Sequence, residues 1–176
     1  MMTKISKNGR SLLPATRWVF PVLLALWVSS TATASALQAV QEPLPPRQGD
    51  TRLHEQLRGL KGRPVLINFW ATWCEPCREE MPSLQRLSKR LEAQGLTVLT
   101  VAVADRKTRV EEFFWEIGVT FPVLDDQAKG ISRTWRARVL PTTLVLDRRH
   151  QVRLRGLGAI DWDSPAIYHQ VEAVVR

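Results

Sequence analysis

Cysteine is scarce in this chain, and its scarcity limits the chemistry available. The 176 residues include only two cysteines, Cys74 and Cys77, together with three histidines and three methionines. A structural zinc ion usually takes four cysteine or histidine ligands, and the histidines lie far from the cysteine pair in sequence. No His-rich or Met-rich tract compensates for this shortage, and we therefore predict no metal site.

Acidic residues are absent from the first 36 residues, which have the character of an export signal. Four basic residues precede an apolar run over 18–28, and small residues follow it. Ala34 and Ala36 each end a pattern that suits cleavage, so we predict a signal peptide over 1–36 and a periplasmic protein. No charge occurs over 18–41, a length that spans a bilayer if the segment stays uncut. An uncleaved anchor that tethers the protein to the inner membrane is the alternative, and membrane contact is expected only in that case.

Strong positive charge is also lacking once that segment is set aside. The formal net charge of the whole chain is +8, with 25 basic and 17 acidic residues. Without residues 1–36, 21 basic and 17 acidic residues remain, a net charge of +4. No basic stripe is interleaved with aromatic residues, the pattern typical of nucleic-acid binding. We expect no nucleic-acid partner.

The rest of the sequence is long enough for one domain. Residues 37–50 contain Pro43, Pro45 and Pro46, and we predict that they form a stiff, Pro-rich spacer. Residues 51–176 suffice for a single hydrophobic core, and no internal repeat divides them.

Strand and helix patterns alternate through residues 51–176. Apolar β-forming runs predict strands, and apolar residues at helical spacing predict helices. After a short helix or ordered turn at 53–60, the predicted order is strand 65–70, helix 75–94, strand 96–104, helix 110–118, strand 121–124, helix 126–135, a hairpin of strands 142–146 and 151–157, and a last helix capped by Asp163 or Ser164. This order predicts an α/β fold in which helices cover both faces of a central sheet.

The two cysteines stand in Cys74-Glu75-Pro76-Cys77, where the first core strand is followed by a helix. Cys74 is thus predicted at a helix N-terminus, where unpaired backbone N–H groups and the helix dipole favour a thiolate. Cys77 follows one turn later and can attack a mixed disulfide formed at Cys74. A disulfide closing so short a loop restrains the unfolded chain only weakly, which favours a redox-active bridge over a structural one.

Charged and aromatic neighbours can adjust this dithiol. Glu80 comes three residues after Cys77 and is therefore near it on the helix. In the same pocket its carboxylate would disfavour a Cys77 thiolate and could accept or donate the exchange proton; the other interpretation is a solvated carboxylate of the first turns. Glu75 opposes a thiolate at Cys74, and Trp73 is expected at the rim, where it could shield that thiol.

A second element of the predicted site is Leu140-Pro141-Thr142, at the start of the fourth strand. One interpretation is that Pro141 only marks the start of the strand, a position where proline is tolerated. The other is a cis proline packed against the dithiol, which exposes backbone that can pair with an incoming peptide. Cis bonds are uncommon even before proline.

The segment 69–82, FWATWCEPCREEMP, resembles the active-site signature of thioredoxin-like proteins, most closely the exported TlpA/ResA/CcmG group of thiol–disulfide reductases. The likeness runs from about residue 60 to residue 175, and the Pro141 loop matches the group's cis-proline loop. The resemblance implies a thioredoxin-like fold with a central mixed β-sheet. The group also carries a glutamate where Glu80 stands, and this chain has an amide, Asn68, where cytoplasmic thioredoxins carry a buried aspartate.

The chain departs from the group at two places. The group often begins with a β-hairpin before its first core strand, whereas residues 37–60 look too short and too helical for one. The usual glycine in the turn after Asp147 is replaced by Arg148-Arg149-His150, which we expect to change the turn and leave the chemistry unaffected.

The resemblance implies that the protein reduces disulfides of other proteins outside the cytoplasm, apocytochrome c among them. Cys74 would attack the substrate disulfide, Cys77 would resolve the mixed disulfide, and Glu80 would handle the proton of Cys77. A membrane thiol transporter would donate the electrons, and no cofactor is expected besides the redox-active Cys74–Cys77 disulfide. The predicted substrate-binding residues are those around the dithiol: Trp73, Glu75, Pro76, Leu140, Pro141 and Thr142.

Two alternatives use the same pair of thiols. A disulfide oxidase or isomerase differs from a reductase in reduction potential and not in motif. A copper(I) carrier for metal-centre assembly would hold its ion through the two soft thiolates.

Overall fold

The structure is a computed structural model that describes residues 37–48 and 50–176. The predicted signal peptide or anchor over 1–36 lies outside the described residues. Within the described part of the chain, no helix has the length and apolar character needed to cross a membrane.

The described residues form strands and helices in nearly the predicted order. The strands are β1 Leu37–Glu42, β2 Val65–Trp70, β3 Thr97–Val103, β4 Val123–Asp126, β5 Thr142–Leu146 and β6 Val152–Leu157. The helices are α1 Arg52–Gly59, α2 Glu75–Arg90, α3 Lys107–Ile117, α4 Gly130–Thr134 and α5 Pro165–Val175. A short 3₁₀ turn, Glu92–Gln94, follows α2, and Gly95 ends it with a φ of +84°.

The six strands make one mixed sheet in the order β1-β6-β5-β2-β3-β4. β3 runs parallel to both β2 and β4, whereas β5 pairs antiparallel with β2 and β6, and β1 pairs antiparallel with β6. The central strand β2 is fully buried, as expected for a strand covered on both faces.

Each face of the sheet has its own hydrophobic core, because successive side chains of a strand point to opposite faces. Leu66 and Trp70 of β2 join a cluster with α2, α3 and α5. Val65, Ile67 and Phe69 join a second cluster with α1 and α4. The predicted class, a central mixed sheet covered by helices on both faces, is confirmed.

The spacer predicted over 37–50 is wrong for its first six residues. Leu37–Glu42 forms β1 at the edge of the sheet and pairs with β6 from Leu37 opposite Gly156 to Glu42 opposite Val152. Leu37 is buried, and Glu42 accepts a 2.7 Å hydrogen bond from Arg155. The sequence signal was weak because an edge strand has only one paired side and needs no continuous apolar run.

The end of the predicted spacer also belongs to the fold. Asp50 is buried, and its Oδ2 accepts a 2.7 Å hydrogen bond from the indole Nε1 of Trp135. Trp135 directly follows α4. Its Oδ1 accepts the backbone N–H of Leu53 at 3.0 Å. Among the described residues of the predicted spacer, 43–48 and 50 form no helix or strand, and the packed domain includes Asp50.

Two smaller differences concern element boundaries. We expected Asp126 to begin a helix, but it ends β4. Its carboxylate nevertheless accepts hydrogen bonds from the backbone N–H groups of Ile131 and Ser132 at 2.9 and 2.8 Å. It thus satisfies two donors at the start of α4, although it precedes them by five and six residues. In the turn after Asp147, His150 takes the left-handed conformation that glycine usually supplies, with φ +59°.

Candidate active site

The dithiol lies where β2 ends and α2 begins, as the sequence predicted. Cys74 is the N-cap residue of α2, and its carbonyl accepts the N–H groups of Cys77 and Arg78 at 3.1 and 3.2 Å. The two sulfur atoms are bonded at 2.08 Å, with the Cα atoms 5.3 Å apart. The chain therefore holds both cysteines in one disulfide on the first turn of a sixteen-residue helix.

The two sulfur-bearing residues differ in access to solvent. Cys74 retains 7% of its accessible surface, whereas Cys77 retains none. We expected an exposed first sulfur, but Cys74 is largely buried and belongs to the hydrophobic cluster on this face of the sheet. Cys74 is therefore the more accessible residue of the pair, and Cys77 is fully buried.

The residues beside Cys74 lie on the surface. Trp73 is 58% exposed, and its Nε1 donates a 3.2 Å hydrogen bond to the carbonyl of Ala104. Glu75 is exposed and pairs with Arg78 at 3.3 Å, and Pro76 stands exposed in the first turn of α2. These three predicted substrate-binding residues are thus exposed and stand next to Cys74 in the chain.

The Leu140–Pro141 peptide bond is cis, and it lies at the same end of the sheet as the dithiol. Thr142, the first residue of β5, pairs with Phe69 near the end of β2. Thr142 is buried, and its Oγ1 donates to the carbonyl of Val139 at 2.6 Å. Leu140 is half-buried. The structure therefore places the cis-proline segment and the dithiol loop at the same end of the sheet.

Glu80 is buried, only 3% exposed, on the second turn of α2. Its Oε1 accepts a 2.8 Å hydrogen bond from Nδ2 of Asn68, and its Oε2 accepts the backbone N–H of Ile160 at 2.9 Å. Burial raises the pKa of Glu80 to about 7, and the hydrogen bonds from Ile160 and Asn68 oppose that rise. The carboxyl is therefore able to take up or release a proton near neutral pH, and it is not the solvated carboxylate of the other interpretation.

The buried amide of Asn68 connects this carboxylate to the cis-proline strand. Its Nδ2 donates to Glu80 and also, at 2.9 Å, to Oγ1 of Thr143. Asn68 and Thr143 are paired across β2 and β5, so a correct strand register would have predicted this contact. The N–H of Ile160 lies 80 residues from Glu80 along the chain, and no local pattern pointed to it.

Glu80 also lines a surface cavity. The cavity has a volume of about 320 Å³ and lies between α2 and the loop that follows β6. Ser83 and Ile160 line it beside Glu80, and the ion pair of Arg86 with Asp163 closes one side. Glu80 therefore borders a surface cavity on the side of α2 that faces the loop after β6.

Sequence reasoning missed one further residue, Asp105. It is buried in the turn after β3 and accepts hydrogen bonds from the dithiol loop. Only its place directly after a buried strand marked it in the sequence. Among the described residues, no group of three or more histidine, cysteine, aspartate or glutamate side chains could hold a metal ion.

Comparison with known proteins agrees with this geometry. The model of the AhpC/TSA family matches residues 36–155. The chain belongs to the AhpC/TSA family. Within that family it is 36% identical over 105 residues to the thiol-disulfide oxidoreductase ResA of Geobacillus kaustophilus, covering 59% of this chain and 60% of the relative. It is 41% identical over 96 residues to the thioredoxin-like protein YneN of Bacillus subtilis, covering 53% and 55%.

Solved structures show the same architecture. A thiol:disulfide interchange protein DsbE from Chlorobium tepidum matches with a TM-score of 0.63 and 26% identity, over 79% of this chain and 96% of that one. A secreted thiol-disulfide isomerase from Corynebacterium glutamicum matches with a TM-score of 0.62 and 28% identity, over 68% and 74%. The predicted resemblance and the thioredoxin-like fold are confirmed. This AhpC/TSA-family chain spans just over half the length of the curated relatives it matches.

Proposed function

We propose that this protein is an exported thiol–disulfide oxidoreductase that reduces disulfides of other proteins. The observation that carries the proposal is the bonded Cys74–Cys77 pair at the N-terminus of α2, with only Cys74 accessible. The thioredoxin-like fold and the relatives named thiol-disulfide oxidoreductase support it.

In the proposed reaction, the reduced protein attacks first through Cys74. Its thiolate bonds to one sulfur of the substrate disulfide, the substrate S–S bond breaks, and the other substrate sulfur leaves as a thiolate that takes a proton from solvent. The helix N-terminus stabilises the negative charge of the attacking thiolate. The product of this step is a mixed disulfide between Cys74 and the substrate.

Cys77 completes the exchange. Its thiol gives its proton to Glu80, and the resulting thiolate attacks the sulfur of Cys74 and releases the second substrate thiolate. Two electrons have then passed from the dithiol to the substrate, and the protein holds the Cys74–Cys77 disulfide. A membrane thiol transporter is the proposed donor that reduces it again.

Glu80 suits the role of proton acceptor for three reasons. It follows Cys77 by three residues on the same helix, and it is buried on the same side of the sheet. Its pKa of about 7 lets it accept a proton near neutral pH. The cavity that it lines provides exchange with solvent between turnovers.

The proposed substrate-binding surface combines Trp73, Glu75 and Pro76 with the strand start at Leu140, Pro141 and Thr142. An extended substrate segment would lie along the cis-proline loop, with its cysteine over Cys74. Apocytochrome c is the substrate we propose, on the strength of the resemblance to the TlpA/ResA/CcmG group. Export to the periplasm, with the N-terminal segment cleaved or kept as a tether, is part of the same proposal, and the secreted solved relative agrees with it.

A disulfide isomerase is the second candidate, because one of the similar solved structures carries that name. The reduction potential of the Cys74–Cys77 couple distinguishes the two activities. A reductase is expected to have a reduction potential near or below that of thioredoxin, which is about −270 mV. The reduction potential of protein disulfide isomerase is about −180 mV.

Insulin reduction tests the proposed activity directly. The wild-type protein, supplied with dithiothreitol, should reduce insulin disulfides faster than dithiothreitol alone, and Cys74→Ser should abolish the acceleration. Arg78→Lys is a matched control, since it alters an exposed neighbour and leaves both thiols. Turnover retained by Cys74→Ser would refute the assignment of the nucleophile.

A further inference from the structure

The turn that follows β3, residues 104–106, lies beside the loop that carries the nucleophile. β3 is the parallel neighbour of β2, and Trp70 at the end of β2 pairs with Ala102. The strands β2 and β3 therefore end side by side. β2 leads into the dithiol loop 71–74, and β3 leads into the turn 104–106. Asp105 in the turn is only 4% exposed.

Both oxygens of the Asp105 carboxylate are occupied by donors from these two loops. Oδ2 accepts the backbone N–H of Thr72 at 2.5 Å. Oδ1 accepts the hydroxyl of Thr72 at 3.0 Å and the backbone N–H of Arg106 at 2.8 Å. A buried carboxylate needs such donors, and its removal leaves them unpaired. Asp105 thus joins the β3 turn to a residue two positions before Cys74.

The neighbouring residue of the same turn makes a second connection. The carbonyl of Ala104 accepts the indole N–H of Trp73 at 3.2 Å. Ala104 has a φ of +50°, a conformation that non-glycine residues adopt rarely and that clusters at functional sites. Thr72 and Trp73, the two residues directly before Cys74, are both held by this turn.

We propose that Asp105 is a positioning residue for the dithiol exchange: through Thr72 it holds the loop 71–74 so that Cys74 is oriented for attack on the substrate disulfide. The inference rests on the proposed function. When the dithiol is reduced, the covalent link between Cys74 and Cys77 is absent, and the hydrogen bonds of the 104–106 turn to Thr72 and Trp73 remain to restrain the loop. A displacement of about 1 Å from the attack geometry can cost a nucleophile about 10²-fold in rate.

The proposal predicts opposite changes in two rates. In Asp105→Asn the amide has one acceptor oxygen and turns a donor toward the N–H of Thr72 or Arg106, so the loop loosens. Reduction of insulin, which needs an oriented Cys74, should fall about tenfold. Alkylation of the reduced protein by iodoacetamide, which needs only access, should rise because Cys74 becomes more exposed.

Asp125→Asn is the matched control. Asp125 lies on the neighbouring strand β4, is exposed, and caps only the N–H of Gln127, so both rates should equal those of the wild type. Unfolded protein would also expose Cys74 to iodoacetamide, so both rates are compared in Asp105→Asn protein whose circular dichroism spectrum and urea midpoint show it to be folded. A fall of both rates by one factor in that folded protein would overturn the proposal. Two unchanged rates would overturn it as well.

Thr72→Val keeps the test decisive if Asp105→Asn does not fold. It removes the hydroxyl contact with Oδ1 and retains the backbone N–H, and Thr72 is only half-buried. The same opposite changes, smaller in size, are expected, and wild-type values for both rates would overturn the proposal. If the wild type fails to reduce insulin while Asp105→Asn still raises alkylation, the proposed reductase function is wrong. The inference that Asp105 restrains the loop 71–74 is then retained.

Discussion

The side-chain amide of Asn68 donates a hydrogen bond of 2.8 Å to Oε1 of Glu80, across twelve residues of sequence and from a strand to a helix. Both side chains are buried. An aspartate at position 68 would place a second acidic group against Glu80, and each would hinder ionisation of the other. With an amide there, Glu80 alone titrates at this position, which suits a single proton acceptor for Cys77.

Glu80→Gln should slow the second half of the exchange. Glutamine cannot accept the proton of Cys77, so attack on the mixed disulfide slows while the first attack by Cys74 proceeds. A loss of about 10²-fold in turnover is the scale for removal of a general base. Rapid acid quenching and mass spectrometry should show the mixed disulfide accumulating, and the pH profile of thiol alkylation should shift.

Glu79→Gln is the control for that variant, because Glu79 is its exposed neighbour on the same helix. It should leave turnover and the alkylation profile unchanged. A Glu80→Gln protein with wild-type values in both measurements would remove Glu80 from the mechanism.

Glu80 should also make stability depend on pH. Its folded pKa, about 7, is above the ordinary value of 4.5, so the folded state binds this proton more tightly than the unfolded state. Its contribution is complete below about pH 4.5 and is lost as pH rises through 7. The loss amounts to about 3 kcal/mol at most. Urea unfolding at pH 5 and pH 8 should show a difference that is smaller in Glu80→Gln, and an equal difference in both proteins would contradict the titration.

Cys77→Ala should trap the physiological substrate. Cys74 still forms the mixed disulfide, but no resolving thiol remains, so the adduct persists and mass spectrometry can identify it. Because Cys77 is fully buried, the small alanine leaves the surface around Cys74 intact. Cys74→Ser carried through the same procedure should retain nothing, and equal recovery with both variants would indicate non-specific capture.

Leu37→Ala tests the place of β1 in the fold. Leu37 is 2% exposed in the core, and truncation of a buried leucine costs about 2–5 kcal/mol. Gln38→Ala, at the exposed neighbouring position, should change the free energy of unfolding by less than about 0.5 kcal/mol. Urea unfolding measures both changes. Similar small changes in the two variants would mean that residues 37–42 contribute little to the fold, as predicted for a spacer.

The local patterns predicted most of the architecture because burial has a period along the chain. The apolar run of β2 and the alternating strands and helices after it predicted a covered sheet, and the structure has one. Apolar residues at helical spacing predicted α2, and three of them, Met81, Leu84 and Leu87, are buried. β1 escaped prediction because it is held by its pairing with β6, 110 or more residues further on, and not by its own composition.

For the site, the sequence by itself determined the reactive groups: two thiols at a spacing that one helical turn can bridge, placed at a helix N-terminus by the strand before them. Only the tertiary structure decided how those groups are controlled. It buried Glu80 in hydrogen bonds with Asn68 and the N–H of Ile160, left Cys74 the more accessible of the two cysteines, and brought Asp105 against Thr72. The physical reason is that protonation and access depend on partners brought together by packing, whereas the identity and spacing of the thiols are properties of the local chain.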